Sequence, residues 1–351
     1  MSAVLTVDAA TSGSILPAGT VIRGVVRQAT PFTWSASQAV LWLDFRELES
    51  ASRATIPIET RVVAVDNARE TVDRDGRILG ITPPREAPSS AEETVLLAAV
   101  APELYDLARA AFTLRELERP DVVYGTGVDL ILETLAPTRD VPVREPRTGT
   151  VPDSALLSLA AAQPLRTMAG TPARPADVIN VVFSATDEEL GDAFAAAGWN
   201  TAVALSLRAD VRTILAVAEN RGYKLGPVAL QSLNGRPPDR VFQKQNNTFD
   251  RRHHIRIWRV LQTYQGRPVW AGSATHDIGI KFAKAERTFT HRVETDIDLE
   301  RQKVVDDLWF AGAVARYALA GRVGVPAQVT NATGDAMTTD GKVAVLVLFR
   351  P

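Results

Sequence analysis

Seven prolines between residues 137 and 176 most restrict how this 351-residue chain can fold. Proline has no backbone N–H and clashes with the preceding helical turn, so neither a long helix nor a central strand runs easily through such a segment. Within it, only SALLSLAAA keeps a sustained apolar pattern. We therefore predict a Pro-rich connection at 137–176 between two folded parts of the chain.

The residues before this connection predict mainly strands. Apolar and β-branched residues partly alternate with polar ones in GTVIRGVVRQ, AVLWLDFREL and ATIPIETRVVAVD. The stretch AEETVLLAAVAPELYDLARAAFTL has a helical composition, and Pro102 divides it into two helices. We predict that residues 1–136 form a β-rich region that contains a helical hairpin at about 91–115.

The pattern changes after the connection. DVINVVFSA predicts a buried strand, and TDEELGDAFAAAGWNTA and RADVRTILAVAENRGYKLG predict two helices. Strands follow around 253–260, 268–282 and 288–295, and then a helix in DLERQKVVDDLWFAGAV and two final strands. This order predicts an α+β fold, with a mainly antiparallel sheet in a C-terminal domain at 177–351.

Composition excludes several classes of function. The chain has no cysteine, so disulfides, thiolate metal sites and cysteine nucleophiles are excluded. A formal net charge of −2 gives no general attraction to nucleic acids, and we expect no nucleic-acid partner. No apolar run approaches the ~20 residues of a membrane-spanning helix. The first residues also lack the basic start and apolar centre of a signal peptide.

The four histidines of the chain all lie between His253 and His291, in the three predicted strands. Side chains alternate between the two faces of a strand, which places His253 on the core side and His254 with Arg256 on the other. His276 and His291 also share their faces with apolar neighbours. A histidine in such a position is usually a core residue that hydrogen-bonds to a carboxylate or to the backbone.

Two functional interpretations stay open beside that one. Arginine can bind phosphate or carboxylate through two parallel hydrogen bonds. The candidate ligands of an anion are Arg252, His254, Arg256 and His276. An enzyme would need paired acids and bases instead. The candidates for that role are His276, Asp277, His291 and Asp298. The alternative to anion binding is a solvated basic edge strand, which also discourages aggregation.

A metal site is not predicted from the sequence. The chain has no HExxH or HxH motif, and the adjacent His253 and His254 point to opposite faces of one strand. We therefore expect no bound metal and no cofactor. The GTG at 125–127 is too short for a phosphate-binding loop, and the acidic run ETDIDLE is interpreted as the cap of a helix.

Five motifs follow one another between about 176 and 311: FAAAGW, NGRPPDRVFQK, RHHIRIW, VWAGSATHDIGI and FTHRVETDIDLERQKVVDDL. In this order they resemble the LssY C-terminal domain family. Val65–Ile81 resembles a segment that precedes this domain in some bacterial exported proteins. The family has no agreed activity, so the resemblance implies no catalytic residue. Many relatives have arginine where this chain has His276, which favours contact with an anion over contact with a metal.

The resemblance also implies work at the bacterial envelope, because the family's domain is often joined to membrane proteins of the phosphatidic acid phosphatase or DedA type. We expect a non-enzymatic binding or interaction protein of the periplasm or cell envelope, although a cytoplasmic location stays open. Its expected partner is a phosphate-bearing ligand, such as an anionic lipid headgroup, or a membrane-associated protein. The alternatives are a hydrolase of a phosphorylated or glycan-like substrate and a structural assembly subunit. The sequence does not predict the oligomeric state.

Overall fold

The computed structural model describes most of the chain outside several internal stretches. The described residues are 1–6, 9–10, 15–16, 19–33, 35–36, 38–49, 55–66, 70–81, 121–136, 151–201, 231–244, 251–283 and 288–351. The helical hairpin predicted at about 91–115 and the helix predicted in RADVRTILAVAENRGYKLG lie outside these residues. The α+β prediction agrees broadly with a structure that is mostly strands in antiparallel sheets, with three described helices.

The described residues before 137 form strands, as their alternating pattern predicts. The strands are β1 (Ser2–Val4), β2 (Ala9–Ala10), β3 (Ile15–Leu16), β4 (Val21–Thr30), β5 (Val40–Glu49), β6 (Thr55–Pro57), β7 (Thr60–Val65), β8 (Thr71–Val72), β9 (Arg77–Leu79) and β10 (Leu130–Thr134). The main sheet has the order β1-β4-β5-β9-β8, with β6 also on β5, and β10 pairs with β7. Leu16, Ile22, Phe45, Leu48 and Ile78 are buried between these strands.

The last part of the predicted Pro-rich connection is regularly folded. It holds α1 (Ser154–Ala161) and a hairpin of β11 (Arg166–Ala169) and β12 (Arg174–Val178). Asp153 caps α1 by accepting a hydrogen bond from Leu156 N at 3.1 Å. Pro175 lies in β12, which belongs to a two-stranded sheet, so one edge of the strand needs no N–H for a partner.

The C-terminal part is built on an eight-stranded sheet of order β14-β15-β16-β17-β13-β22-β19, with β18 also on β17. Its strands are β13 (Val181–Ser184), β14 (Trp199–Thr201), β15 (Arg240–Lys244), β16 (Arg251–Tyr264), β17 (Arg267–Ala283), β18 (Thr288–Val293), β19 (Val314–Gly321) and β22 (Lys342–Leu348). A small hairpin consists of β20 (Gln328–Thr330) and β21 (Ala336–Thr338). Only β13 and β22 pair in parallel among the described strands, so the mainly antiparallel sheet agrees with the prediction.

Two helices cover one face of this sheet. They are α2 (Asp187–Ala196), which starts with a capping box between Thr186 and Glu189, and α3 (Ile297–Phe310), which is capped by Asp296. Phe194 and Leu308 of these helices pack with Ile255 and Ile257 of β16 in the main core. None of the described helices combines the length and apolar composition that crossing a bilayer requires.

Two glycines allow close backbone contact between the turn before β10 and the end of α2. Gly198 has a φ of +78°, and a Cβ there would lie 2.1 Å from Thr126 O. Gly127 has a φ of +82°, and a Cβ there would lie 2.5 Å from Ala197 O. Only glycine fits this left-handed backbone and this separation. The second glycine of the GTG stretch therefore serves packing between the two parts of the chain.

Candidate functional site

The basic strand β16 is internal, because β15 and β17 hydrogen-bond to its two edges. Arg252, His254 and Arg256 are only 3%, 2% and 3% exposed. The alternative of a solvated basic edge strand is therefore wrong. These cationic side chains are paired with charged groups inside the protein and are not solvated by water.

Three of the predicted anion ligands contact internal carboxylates on one face of the sheet. Asp277 Oδ2 lies 3.1 Å from Arg252 Nη2 and 3.2 Å from His254 Nε2. Asp177 Oδ2 lies 3.3 Å from Arg256 Nη1. Burial lowers the pKa of His254, so this imidazole is neutral at pH 7. Two arginines then face two aspartates, as a buried charge requires a partner of opposite sign.

The opposite face carries a second cluster, centred on His253. Its Nδ1 lies 2.6 Å from Glu300 Oε2 of α3, and its Nε2 lies 2.8 Å from Asp66 Oδ2, directly after β7. Burial lowers the pKa of His253, but the charge of Glu300 and the hydrogen bonds to both carboxylates raise it to about 9. The ring is therefore an imidazolium at neutral pH, and it connects the N-terminal strands to the sheet and to α3.

His276 is the direct partner of His253 across β16 and β17. The two rings stack with centroids 4.0 Å apart and planes inclined by 17°. Burial and the charge of His253 lower the pKa of His276 to about 4, so it is neutral at pH 7. His276 is only half-buried, whereas His253 and Glu300 are buried. One nitrogen or oxygen ligand atom from each of these three side chains lies within 4.8 Å of the others.

A row of buried and partly buried ion pairs extends from this cluster along α3. Lys303 contacts Asp129, and its Nζ lies 3.5 Å from Asp307 Oδ1. Lys244 Nζ of β15 lies 2.8 Å from Asp307 Oδ2, which also accepts a hydrogen bond from Trp199 Nε1 at 2.9 Å. Lys244 further donates to Gly127 O at 2.7 Å and Ala197 O at 3.1 Å. These groups fix α3 and thereby the position of Glu300.

Two exposed arginines lie at the end of the sheet that carries the His253 cluster. Arg251 precedes His253 by two residues, so it lies on the same face of β16. Val293 is the partner of Asp277, so the preceding Arg292 lies on the face of His276. Both arginines are exposed. The end of the sheet beside the half-buried His276 therefore carries two exposed arginines.

The structure does not bring the four predicted acid–base residues together at one site. The prediction that the three histidine strands are neighbours is confirmed, because β16 pairs with β17 and β17 pairs with β18. His276 and Asp277, however, point to opposite faces. His291 is the backbone partner of Ile280, and its side chain lies outside the described part of the chain. Asp298 contacts Arg301 at 2.8 Å and Thr339 at 2.9 Å.

The sequence interpretation did not single out Asp66, Asp177, Glu300 and Lys303. In the sequence, a carboxylate in a predicted helix or after a strand has the same pattern as an acid on the surface. The partner that distinguishes it is distant along the chain. Asp66 is 187 residues from His253. The one sequence signal near it was the resemblance of Val65–Ile81 to a segment that precedes LssY domains.

The family model described as LssY C-terminus matches residues 161–343, which is more than half of the 351 residues. The chain belongs to the LssY C-terminal domain family. The predicted resemblance is thus confirmed, and the LssY domain extends beyond the predicted 176–311 on both sides. It begins at the end of α1 and includes every histidine of the chain. No curated protein and no solved structure matches the chain.

Proposed function

We propose that this protein is a non-enzymatic binding protein of the bacterial envelope, whose LssY domain recognises an anionic, phosphate-bearing ligand. The observation that carries the proposal is that the exposed Arg251 and Arg292 lie on the same face of the sheet as the half-buried His276. Guanidinium groups bind phosphate oxygens through paired, charge-assisted hydrogen bonds. The association with the envelope rests on the family resemblance alone.

The proposed binding face differs from the one expected from the sequence. Arg252 and Arg256 contact Asp277 and Asp177, and ligand binding by these arginines would leave buried carboxylates without their cations. Arg251 and Arg292 are exposed instead, so binding a ligand in solvent does not require them to leave Asp277 or Asp177. Of the four predicted anion ligands, we retain His276 for this role.

Binding to vesicles tests this proposal. The native chain should co-sediment with vesicles that contain phosphatidic acid more than with vesicles of phosphatidylcholine alone, and added salt should weaken the binding. Arg251→Ala with Arg292→Ala should lower the affinity about 10-fold, from ~0.7 kcal/mol for each exposed charge pair. Inorganic phosphate as competitor separates recognition of the phosphate group from recognition of a lipid surface.

The control is Arg23→Ala, which removes an arginine that is 56% exposed on the N-terminal sheet. Combined with Arg27→Ala, also on β4 and 42% exposed, it lowers the net charge by two, as the double test variant does. Equal binding by the native chain and the double variant, or an equal loss in the control, would contradict the proposal.

A hydrolase is the second candidate, because the stacked histidines have pKa values that differ strongly. Carboxylates hold His253 protonated at neutral pH, and His276 is neutral. Such a pair can supply a general acid and a general base. Turnover of chromogenic phosphate esters or glycosides by the native chain, abolished in His276→Ala, would favour this candidate over binding alone.

A further inference from the structure

We infer that His253, His276 and Glu300 bind a divalent transition-metal ion of the zinc class, with Asp66 orienting His253. This inference goes beyond the proposed anion binding and does not depend on it. It also differs from the sequence-based expectation of no metal. That expectation rested on the opposite faces of His253 and His254, on the missing metal motifs, and on the arginine that many relatives have at the position of His276. The ligands come from two neighbouring strands and one helix, so no short motif marks them.

The distances fit such an ion with a small adjustment. Zinc binds nitrogen and oxygen at about 2.0–2.2 Å, so two ligands of a tetrahedral ion are about 3.4 Å apart. The three ligand atoms lie within 4.8 Å of one another, and His253 Nδ1 is 2.6 Å from Glu300 Oε2. A bound ion would require His253 Nδ1 and Glu300 Oε2 to separate by about 0.8 Å, and the more distant ligand atoms to approach one another by up to about 1.4 Å.

Asp66 provides the support that metal-binding histidines usually have. A histidine ligand commonly donates its second N–H to a carboxylate, which fixes the ring and increases its basicity. The bond between His253 Nε2 and Asp66 Oδ2, at 2.8 Å, has this arrangement. Metal binding at Nδ1 would release the Nδ1 proton of the imidazolium to solvent, and the Nε2–H would still donate to Asp66. Asp66 itself lies on the far side of the ring from Glu300.

Glu300 offers a second, independent indication. Its side chain is buried, and its Oε1 has no hydrogen-bond partner among the described residues. A buried carboxylate oxygen without a partner is costly, and a metal ion satisfies it as a ligand. Two imidazoles and one carboxylate form a set that suits zinc and related ions, and a fourth position would be filled by water.

Zinc binding to the full chain tests this inference. After treatment with a chelator, the native protein should bind about one equivalent of Zn²⁺ in equilibrium dialysis. Co²⁺ should produce the visible absorption of a four-coordinate site. His276→Ala and Glu300→Gln should each weaken Zn²⁺ binding more than 10-fold. Asp66→Asn should weaken it about 10-fold and retain the Co²⁺ spectrum, as expected of a group that acts through His253.

The matched control is Glu294→Gln, which removes a carboxylate at the end of β18 outside the three-residue cluster. It should bind Zn²⁺ as the native chain does. Circular dichroism verifies that each variant is folded, and Glu300→Gln keeps the size of the native side chain. The inference would be overturned if the native chain did not bind Zn²⁺, or if His276→Ala and Glu300→Gln bound it as tightly as the native chain does. The cluster would then be a buried ion pair only.

Discussion

Replacing Lys244 with methionine should destabilise the protein strongly. The side chain of Lys244 is 1% exposed and that of Asp307 is 5% exposed, and their charged atoms are 2.8 Å apart. Methionine fills a similar volume but leaves Asp307 without this cation. Removing one member of a buried ion pair costs about 3–5 kcal/mol. Lys303 stays 3.5 Å from Asp307, so we expect the lower end, about 3 kcal/mol.

Thermal unfolding followed by tryptophan fluorescence measures this effect, since the chain has six tryptophans. A loss of about 3 kcal/mol corresponds to a decrease in melting temperature of roughly 6–12 °C for a domain of this size. The control is Lys342→Met, which removes a lysine that is 49% exposed and 3.6 Å from Asp340. It should change stability by less than about 1 kcal/mol.

A double-mutant cycle separates the ion pair from packing. Asp307→Asn keeps an oxygen that can accept the hydrogen bond of Trp199 but removes the charge. Combined with Lys244→Met, it should lose less stability than the sum of the two single variants. Equal melting temperatures for Lys244→Met and Lys342→Met, or strictly additive losses in the cycle, would refute the argument that this buried pair fixes α3 on β15.

Three further predictions concern other parts of the fold. Burial acts to raise the pKa of Asp340, but its two hydrogen bonds to Arg301 lower it to about 2. The native chain should therefore lose stability relative to Asp340→Asn as the pH falls from about 4 to 2, and a constant difference in melting temperature over this range would contradict this. Burial raises the pKa of Asp306 to about 7, so the native chain loses stability as the pH rises from 4 to 8 and this carboxyl must ionise. The melting temperature of Asp306→Asn should therefore exceed that of the native chain by more at pH 8 than at pH 4, and a constant difference would exclude the assigned pKa shift. Gly198→Ala should lower the free energy of unfolding by about 2 kcal/mol or more, because of its positive φ and the backbone that faces it. Gly191→Ala, with no atom within 4 Å of its new Cβ, should be neutral or stabilising, and similar melting temperatures for the two variants would show that the glycine contact is unimportant.

The local elements could be predicted from the sequence because they depend on neighbouring residues. Alternation in VIRGVVRQ and VLWLDFREL is enough to predict β4 and β5, and Thr186 with Glu189 marks the start of α2. The same alternation assigned His253 and His254 to opposite faces of β16, which agrees with their different partners. The order of the motifs was also enough to predict the family.

The partners of the charged groups depended on the tertiary structure. Pairing of β16 with β17 brings His276 onto His253, and the packing of α3 and of the turn after β7 adds Glu300 and Asp66. The sequence determined which faces carry histidine and arginine, because alternation is a property of the strand itself. Whether those side chains face water or a carboxylate was decided by elements far apart along the chain, because burial and electrostatic pairing are set only when the sheets and helices pack together.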